Sequence, residues 1–191
     1  MTAPTPQWAA RPQTSVPEPG SPLDRQFAAF IGPRWETYRR KFAPFFEDAR
    51  FQPTWNWSAA LPTAIGMTPL WFVYRRMYLP ALLIWMVQSF GLALLWGGDL
   101  NVQEVLGNGP RSEEFKVIAF GVQLSMVVLT GGTANYLLYR RARAAMRVAE
   151  RRGESAEGTF RWLERVGRVN MIGVVIVVAL FAFAGMSAAG M

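Results

Sequence analysis

The sequence predicts an all-α integral membrane protein with three transmembrane helices, short cytoplasmic amphipathic helices and an extended Pro-rich N-terminal tail. Three uncharged apolar blocks support this prediction, at about residues 79–97, 117–139 and 169–189. Each has about the 20 residues that a helix needs to cross a hydrocarbon core of about 30 Å. The alternative is a soluble core, but a chain of 191 residues has too little interior to bury three such helices on every face.

The distribution of Lys and Arg predicts the orientation. These residues are dense before the first block and between the second and third, whereas only Arg111 and Lys116 lie between the first two. Because basic loops stay on the cytoplasmic side, we expect a cytoplasmic N-terminus and a periplasmic C-terminus. The predicted localisation is the bacterial inner membrane, cytoplasmic or intracytoplasmic, with several passes. The N-terminal residues lack an apolar signal-peptide core, so the first block is expected to be an uncleaved internal signal.

The loop at 140–168 is predicted to be a cytoplasmic helical hairpin. Its charges alternate in sign, as on a solvated helix surface, and Gly153 and Gly158 are the predicted breaks. Its arginine-rich start could also be a nucleic-acid patch, but a solvated helix extending the second span is the favoured interpretation.

Residues 24–78 form a cytoplasmic or interfacial region rich in aromatic and basic side chains. Gly32-Pro33 divides residues 24–48 into two predicted short helices. Their aromatic side chains recur at helical spacing, and we expect them to pack on lipid headgroups, on the following aromatic collar or on another subunit.

The collar lies just before the first block, in the stretches WNW at 55–57 and WFVYRRMY at 71–78. Trp and Tyr concentrate at membrane interfaces, so this segment is predicted to be interfacial or re-entrant. Pro62 and Pro69 disfavour one continuous helix from Ala59 to Val73. The predicted interface and partner contacts are Trp8, Trp35, Tyr38, Trp55, Trp57, Trp71, Tyr74, Arg75, Arg76 and Tyr78.

These motifs resemble the bacterial membrane-protein family catalogued as domain of unknown function 2628. That family shares an F-x-G…Y…F…WNW-A-A…W-x-x-Y-R-[KR]-M-Y signature followed by apolar helices, and WNWSAA and WFVYRRMY stand here in the same order. The resemblance covers roughly residues 27–97. Residues 59–70 are longer and more proline-broken than the family pattern, and the second and third blocks are not covered. The resemblance implies a membrane-embedded architecture and brings no known activity.

The composition disfavours an enzyme. The chain contains no Cys and no His, which removes thiolate chemistry, the commonest general base and the usual haem ligand. The three blocks contain no ionisable side chain of the kind that transport requires. We therefore predict no catalytic, metal or intrinsic cofactor-binding residues, and any contact with lipids or pigments of a host complex would be peripheral. Gln88, Gln123 and Asn135 are predicted to make interhelical hydrogen bonds.

Residues 1–23 contain six prolines among Thr, Ser and Gln, a composition typical of an extended tail. We expect the tail to lie along a partner protein with Trp8 as its anchor, a tail packed on its own chain being the alternative.

The predicted function is a non-catalytic accessory subunit of a larger bacterial membrane complex. By analogy, the host would be energy-transducing, either a photosynthetic reaction-centre and light-harvesting complex or a respiratory one. The expected partners are other integral membrane subunits and anionic phospholipids, without nucleic acid. The alternatives are a free-standing lipid-interacting protein and an assembly or scaffold factor for other membrane proteins.

Overall fold

The computed structural model describes residues 16–47, 50–95 and 113–189. These residues form helices joined by turns, with no β-strand among them, so the all-α class is confirmed for this part of the chain. Trp8, most of the predicted tail and most of the loop between the first two apolar blocks lie outside the described residues. The helices are α1 (Pro22–Ile31), α2 (Trp35–Glu47), α3 (Trp57–Ala64), α4 (Leu70–Tyr74), α5 (Tyr78–Leu95), α6 (Glu113–Arg152), α7 (Ala156–Gly167) and α8 (Met171–Ala189).

The chain divides into two compact units. We call Met1–Thr54 with Asn135–Arg168 the charged unit, and Trp55–Ala134 with Val169–Met191 the apolar unit. Among the described residues, the charged unit has fifteen Lys and Arg against eight Asp and Glu, whereas the apolar unit has three against two. The net positive charge of the described residues therefore belongs mainly to the charged unit.

Local signals fix both ends of α1. The Ser21 hydroxyl accepts a hydrogen bond from the Asp24 amide at 3.2 Å and caps α1, and Pro22 fits the first turn. Gly32, with φ of 81°, ends α1 and donates its amide to the Ala28 carbonyl at 2.8 Å. The predicted division at Gly32-Pro33 is confirmed.

The break between α6 and α7 is only partly as predicted. Gly153 follows the end of α6 with φ of 62°, in agreement with the expected break. The break predicted at Gly158 is wrong, because this residue lies in the first turn of α7. There its amide donates to the Ser155 hydroxyl at 3.2 Å, which caps the helix.

The core of the charged unit is aromatic. Phe27 is stacked between Trp35 and Tyr139, at centroid distances of 5.0 and 6.0 Å with both ring pairs inclined by 8°. Phe42 and Phe46 close the cluster edge-on to Phe27. The expectation that these rings pack on headgroups, the collar or another subunit is wrong. Helices α1, α2 and α6 bury the rings against one another, which removes their apolar faces from solvent and lipid alike.

Candidate membrane interface

Large apolar side chains cover the outside of the apolar unit. Helix α8 exposes them over most of its surface, apart from a half-buried face at Gly173, Val174 and Val177, and α6 exposes a stripe at Val117, Phe120, Leu124 and Val128. Soluble monomers rarely expose contiguous apolar patches of this kind, because water disfavours apolar surface. A hydrocarbon environment imposes no such penalty on apolar surface. The surface therefore has the chemistry of a lipid-facing one. The large exposed apolar residues described in α5 and α8 include Leu79, Leu82, Leu83, Trp85, Met86, Val87, Phe90, Met171, Ile172, Val175, Ile176, Val178, Leu180, Phe181, Phe183 and Met186.

One helical segment among the described residues is long and apolar enough to cross a membrane. It covers Ala156–Phe183, and its most apolar 18 residues have a mean hydropathy of 2.2 with none buried. Because Leu163 is buried, that stretch lies within residues 164–183 and mainly in α8. A shorter apolar helix covers Tyr78–Phe90. The structure therefore supports the third predicted span, and three transmembrane helices are not confirmed.

Two short helices precede α5 and form a hairpin, which we define as residues 55–77. No continuous helix covers Ala59 to Val73, as predicted, since α3 ends at Ala64 and α4 begins only at Leu70. Pro62 lies inside α3, two residues before its end, and Pro69 directly precedes α4. The first residues of the hairpin are bound to α6, because the Asn56 amide donates to the Gly131 carbonyl at 2.8 Å. A Cβ on Gly131 would lie 2.8 Å from the Trp55 ring, so the indole packs where only glycine leaves room.

A polar cluster joins this hairpin to α5 and α6. The Gln88 side-chain amide donates to the Gln123 carbonyl oxygen at 3.0 Å, and the Gln123 amide donates to the main-chain carbonyl of Thr63. The Thr130 hydroxyl lies 3.0 Å from the Thr63 hydroxyl. Thr63 and Thr130 are fully buried. The side chains of Gln88 and Gln123 thus link α5 to α6, and Gln123 also binds the main chain of α3.

We expect Gln123→Leu to lower the free energy of unfolding of the apolar unit by about 1–3 kcal/mol. The substitution leaves the side-chain amide of Gln88 without its partner and removes one of the two hydrogen bonds that the Thr63 carbonyl accepts. Thermal unfolding of the purified chain in detergent micelles measures the change. In the Gln88→Leu background the same substitution should cost less, since the shared hydrogen bond is already lost.

Thr68→Val is the matched control. The Thr68 hydroxyl is buried and has no hydrogen-bond partner among the described residues. Its removal should be neutral or stabilising by up to about 1 kcal/mol, because no bond is broken and a desolvated polar group disappears. A loss as large as that of Gln123→Leu would contradict the assignment of the polar cluster.

Burial separates the predicted interface residues into two groups. Trp35 and Tyr38 are buried in the charged unit, and Trp71 and Arg75 in the apolar unit. A surface role is incompatible with that burial, and we correct the prediction for these four. Trp55, Trp57 and Tyr78 are exposed in the apolar unit, and Tyr74 and Arg76 there are half-buried. Trp8 lies outside the described residues.

Some residues at this site were not indicated by the sequence. Thr63 and Thr130 are 67 positions apart, and no local spacing indicates their contact. The small residues from Gly131 to Ala134 do indicate from the sequence that another helix can come close, and at Gly131 the segment that does so is the Trp55 ring. Asn135, predicted to bond between helices, donates to the carbonyl and hydroxyl of Thr54, at 3.0 and 3.1 Å. Thr54 precedes α3 and belongs to no helix.

No group of three or more His, Cys, Asp and Glu able to hold a metal comes together within residues 16–47, 50–95 and 113–189. The contacts described above are hydrogen bonds between neutral groups and apolar packing. They position helices, and none of them pairs a nucleophile with a base.

These features define an all-helical protein with one charged, aromatic-cored unit and one unit whose outer surface suits hydrocarbon. No family model, no curated protein and no solved structure matches the chain. The resemblance to the 2628 family, carried by residues 27–97, stays a prediction.

Proposed function

We propose that this chain is a multi-pass protein of the bacterial inner membrane and serves as a non-catalytic accessory subunit of a larger membrane complex. The observation that supports it most strongly is the exposed apolar surface of the apolar unit, on which α8 presents only uncharged side chains from Met171 to Phe183. A surface of this kind needs lipid or the apolar helices of other subunits to cover it.

In this proposal α5, the first part of α6 and α8 are the three spans. The N-terminus is cytoplasmic and the C-terminus periplasmic, because the arginine-rich segments precede α5 and lie between Arg140 and Arg168. Gln88 in the first span and Gln123 in the second bind each other. Their pairing fits a structural role better than a transport pathway, where polar groups line a route for the cargo.

A basic stripe on α6 fits anionic phospholipid headgroups. Arg140, Arg147 and Arg151 are exposed and lie on the face opposite the buried Ala142 and Ala149. Each basic side chain near an anionic surface contributes about 1 kcal/mol of attraction. This stripe favours the second candidate function, a free-standing protein that binds anionic lipid.

Purification in mild detergent, followed by mass spectrometry of co-purifying chains, distinguishes the candidates. Fixed partners at constant stoichiometry are the result expected of an accessory subunit, and by analogy we propose an energy-transducing host. A monomer whose binding depends on anionic lipid would contradict that role and support the lipid-binding one. Trace amounts of many membrane proteins would indicate an assembly factor.

Deletion of residues 1–15 tests the proposed tail contact. It leaves Ser21, the cap of α1, in place, so the fold of the charged unit should be unaffected. We expect a lower yield of the intact complex at unchanged thermal stability of the isolated chain, because the Pro-rich segment with Trp8 is the proposed clamp. An unchanged yield of the complex would contradict the clamp, and Trp8→Ala in the full chain is the matched point variant.

A further inference from the structure

We propose that the hairpin, residues 55–77, is a re-entrant element that enters the bilayer from the cytoplasmic side, turns at Gly66 and returns, with its outer face against lipid acyl chains. The inference rests on the proposed membrane function and decides what the sequence leaves open, whether this segment lies on the membrane or inside it. Four observations support it, taken in turn below.

The first is the depth that α3 reaches along α6. Gly131, bound to Asn56, is eight residues from the predicted cytoplasmic end of the span at Tyr139, about 12 Å at 1.5 Å per residue. Gln123, bound to the Thr63 carbonyl, is about 24 Å from the same end. Helix α3 therefore descends along α6 from about 12 Å to about 24 Å below the cytoplasmic end, which takes it past the middle of a hydrocarbon core of about 30 Å.

Helix α5 gives an independent estimate. Gln88, which donates to Gln123, is ten residues beyond Tyr78 and so about 15 Å from the start of the helix. Both paths place the region around Thr63 near or beyond the middle of a hydrocarbon core of about 30 Å.

The second observation is the return of the chain. The Tyr74 carbonyl accepts a hydrogen bond from the Asn170 amide at 2.8 Å, and the Asn170 side chain donates to the Tyr78 hydroxyl at 3.0 Å. Asn170 also caps α8, since its side-chain oxygen accepts from the Gly173 amide at 3.0 Å. The end of the hairpin thus lies where the first and third predicted spans both begin.

The third observation is the turn itself, which pairs its own backbone groups. The Gly66 amide donates to the Thr63 carbonyl at 2.9 Å and the Met67 amide to the Pro62 carbonyl at 2.8 Å, with φ of 82° at Gly66. This is the Schellman arrangement, which satisfies the carbonyls at a helix end internally. Backbone at membrane depth must be satisfied in this way, because hydrocarbon offers no hydrogen bonds.

The fourth observation is the outer face of α3. Trp57, Leu61 and Ile65 are spaced by four residues and are 63%, 59% and 72% exposed. No charged residue occurs from Phe51 to Tyr74, between Arg50 and the pair Arg75-Arg76. Arg50 is exposed and Arg76 is half-buried, so the uncharged segment with its apolar outer stripe has one accessible basic residue at each end. This arrangement fits acyl chains flanked by anionic headgroups.

Single-cysteine labelling tests the hairpin, and the absence of native cysteine removes any background. Ile65→Cys probes the turn, Glu36→Cys an exposed site on the cytoplasmic side, and Leu180→Cys the third span. A membrane-impermeant maleimide is applied to native membrane vesicles of both orientations and to the purified full chain in liposomes. Leu61→Cys serves as a second probe of the same face. These positions are exposed, so the substitutions should not disturb the core.

We expect Glu36→Cys to be labelled fully from the cytoplasmic side, while Ile65→Cys and Leu180→Cys stay unlabelled until detergent is added. Labelling of Ile65→Cys alone would overturn the re-entrant hairpin and leave the membrane proposal intact. Labelling of Leu180→Cys as well would overturn the membrane proposal itself. Protection of Ile65→Cys in native vesicles but not in liposomes would show that a partner protein covers the hairpin, and would overturn lipid as the occupant.

Discussion

Phe27→Ala is expected to lower the free energy of unfolding of the charged unit by about 3–5 kcal/mol, the range for deletion of a fully buried ring. Phe27 has no exposed surface and lies between the stacked rings of Trp35 and Tyr139, so its loss leaves a cavity that three helices would have to close. Thermal unfolding followed by near-ultraviolet circular dichroism measures the loss, because the packed Trp35 and Tyr139 rings contribute to that signal.

Phe51→Ala is the matched control in the same unit. The Phe51 ring also touches a tyrosine, Tyr136, at a centroid distance of 5.2 Å, but about half of its surface is exposed. Its removal should cost no more than about 1.5 kcal/mol, the value of one exposed aromatic pair. Equal losses for the two variants would contradict an aromatic core centred on Phe27.

Gly167→Ala should separate α1 from α7. A Cβ at this position would lie 1.9 Å from the Phe30 carbonyl oxygen, a main-chain atom that cannot turn away. The Arg141 side chain also donates to the Val166 carbonyl at 3.2 Å, so α6 is joined to α7 at the same place. We expect Gly167→Ala to lower the free energy of unfolding of the charged unit by about 1–3 kcal/mol, as for other overpacked contacts. Hydrogen exchange of the α1 amides should become faster.

Gly132→Ala is the control for the replacement of glycine by alanine as such. Gly132 lies within α6, and a Cβ there would meet no atom within 4 Å. Alanine in place of glycine inside a helix should stabilise by up to about 1 kcal/mol. If Gly167→Ala were as stable as the natural chain, the close approach of α1 and α7 would be contradicted.

The parts of the fold that could be predicted are those set by neighbouring residues. Ser21, Pro22 and Gly32 mark the ends of α1 within a few positions, so the division of the first two helices was readable. The third apolar block was equally clear, because nothing in α8 interrupts its apolar character.

The parts that could not be predicted depend on partners far along the chain. Aromatic rings suit a membrane interface and a buried core equally well. Phe27 lies in a core because it stacks on Tyr139, a residue more than 100 positions further along the chain. Gln88 and Gln123 were recognisable as polar groups in apolar helices. Their link to the Thr63 carbonyl was not, because any main-chain carbonyl can accept such a bond.

The most direct test of the account is alkaline carbonate extraction of membranes from bacteria that express the full chain. Peripheral proteins leave the membrane under this treatment, whereas chains that cross the hydrocarbon core stay in it. We expect the chain to remain entirely in the sedimented membranes and to be released only by detergent. Release into the carbonate supernatant, as a dispersed species that stays in solution without detergent, would contradict the lipid-facing role of the apolar unit.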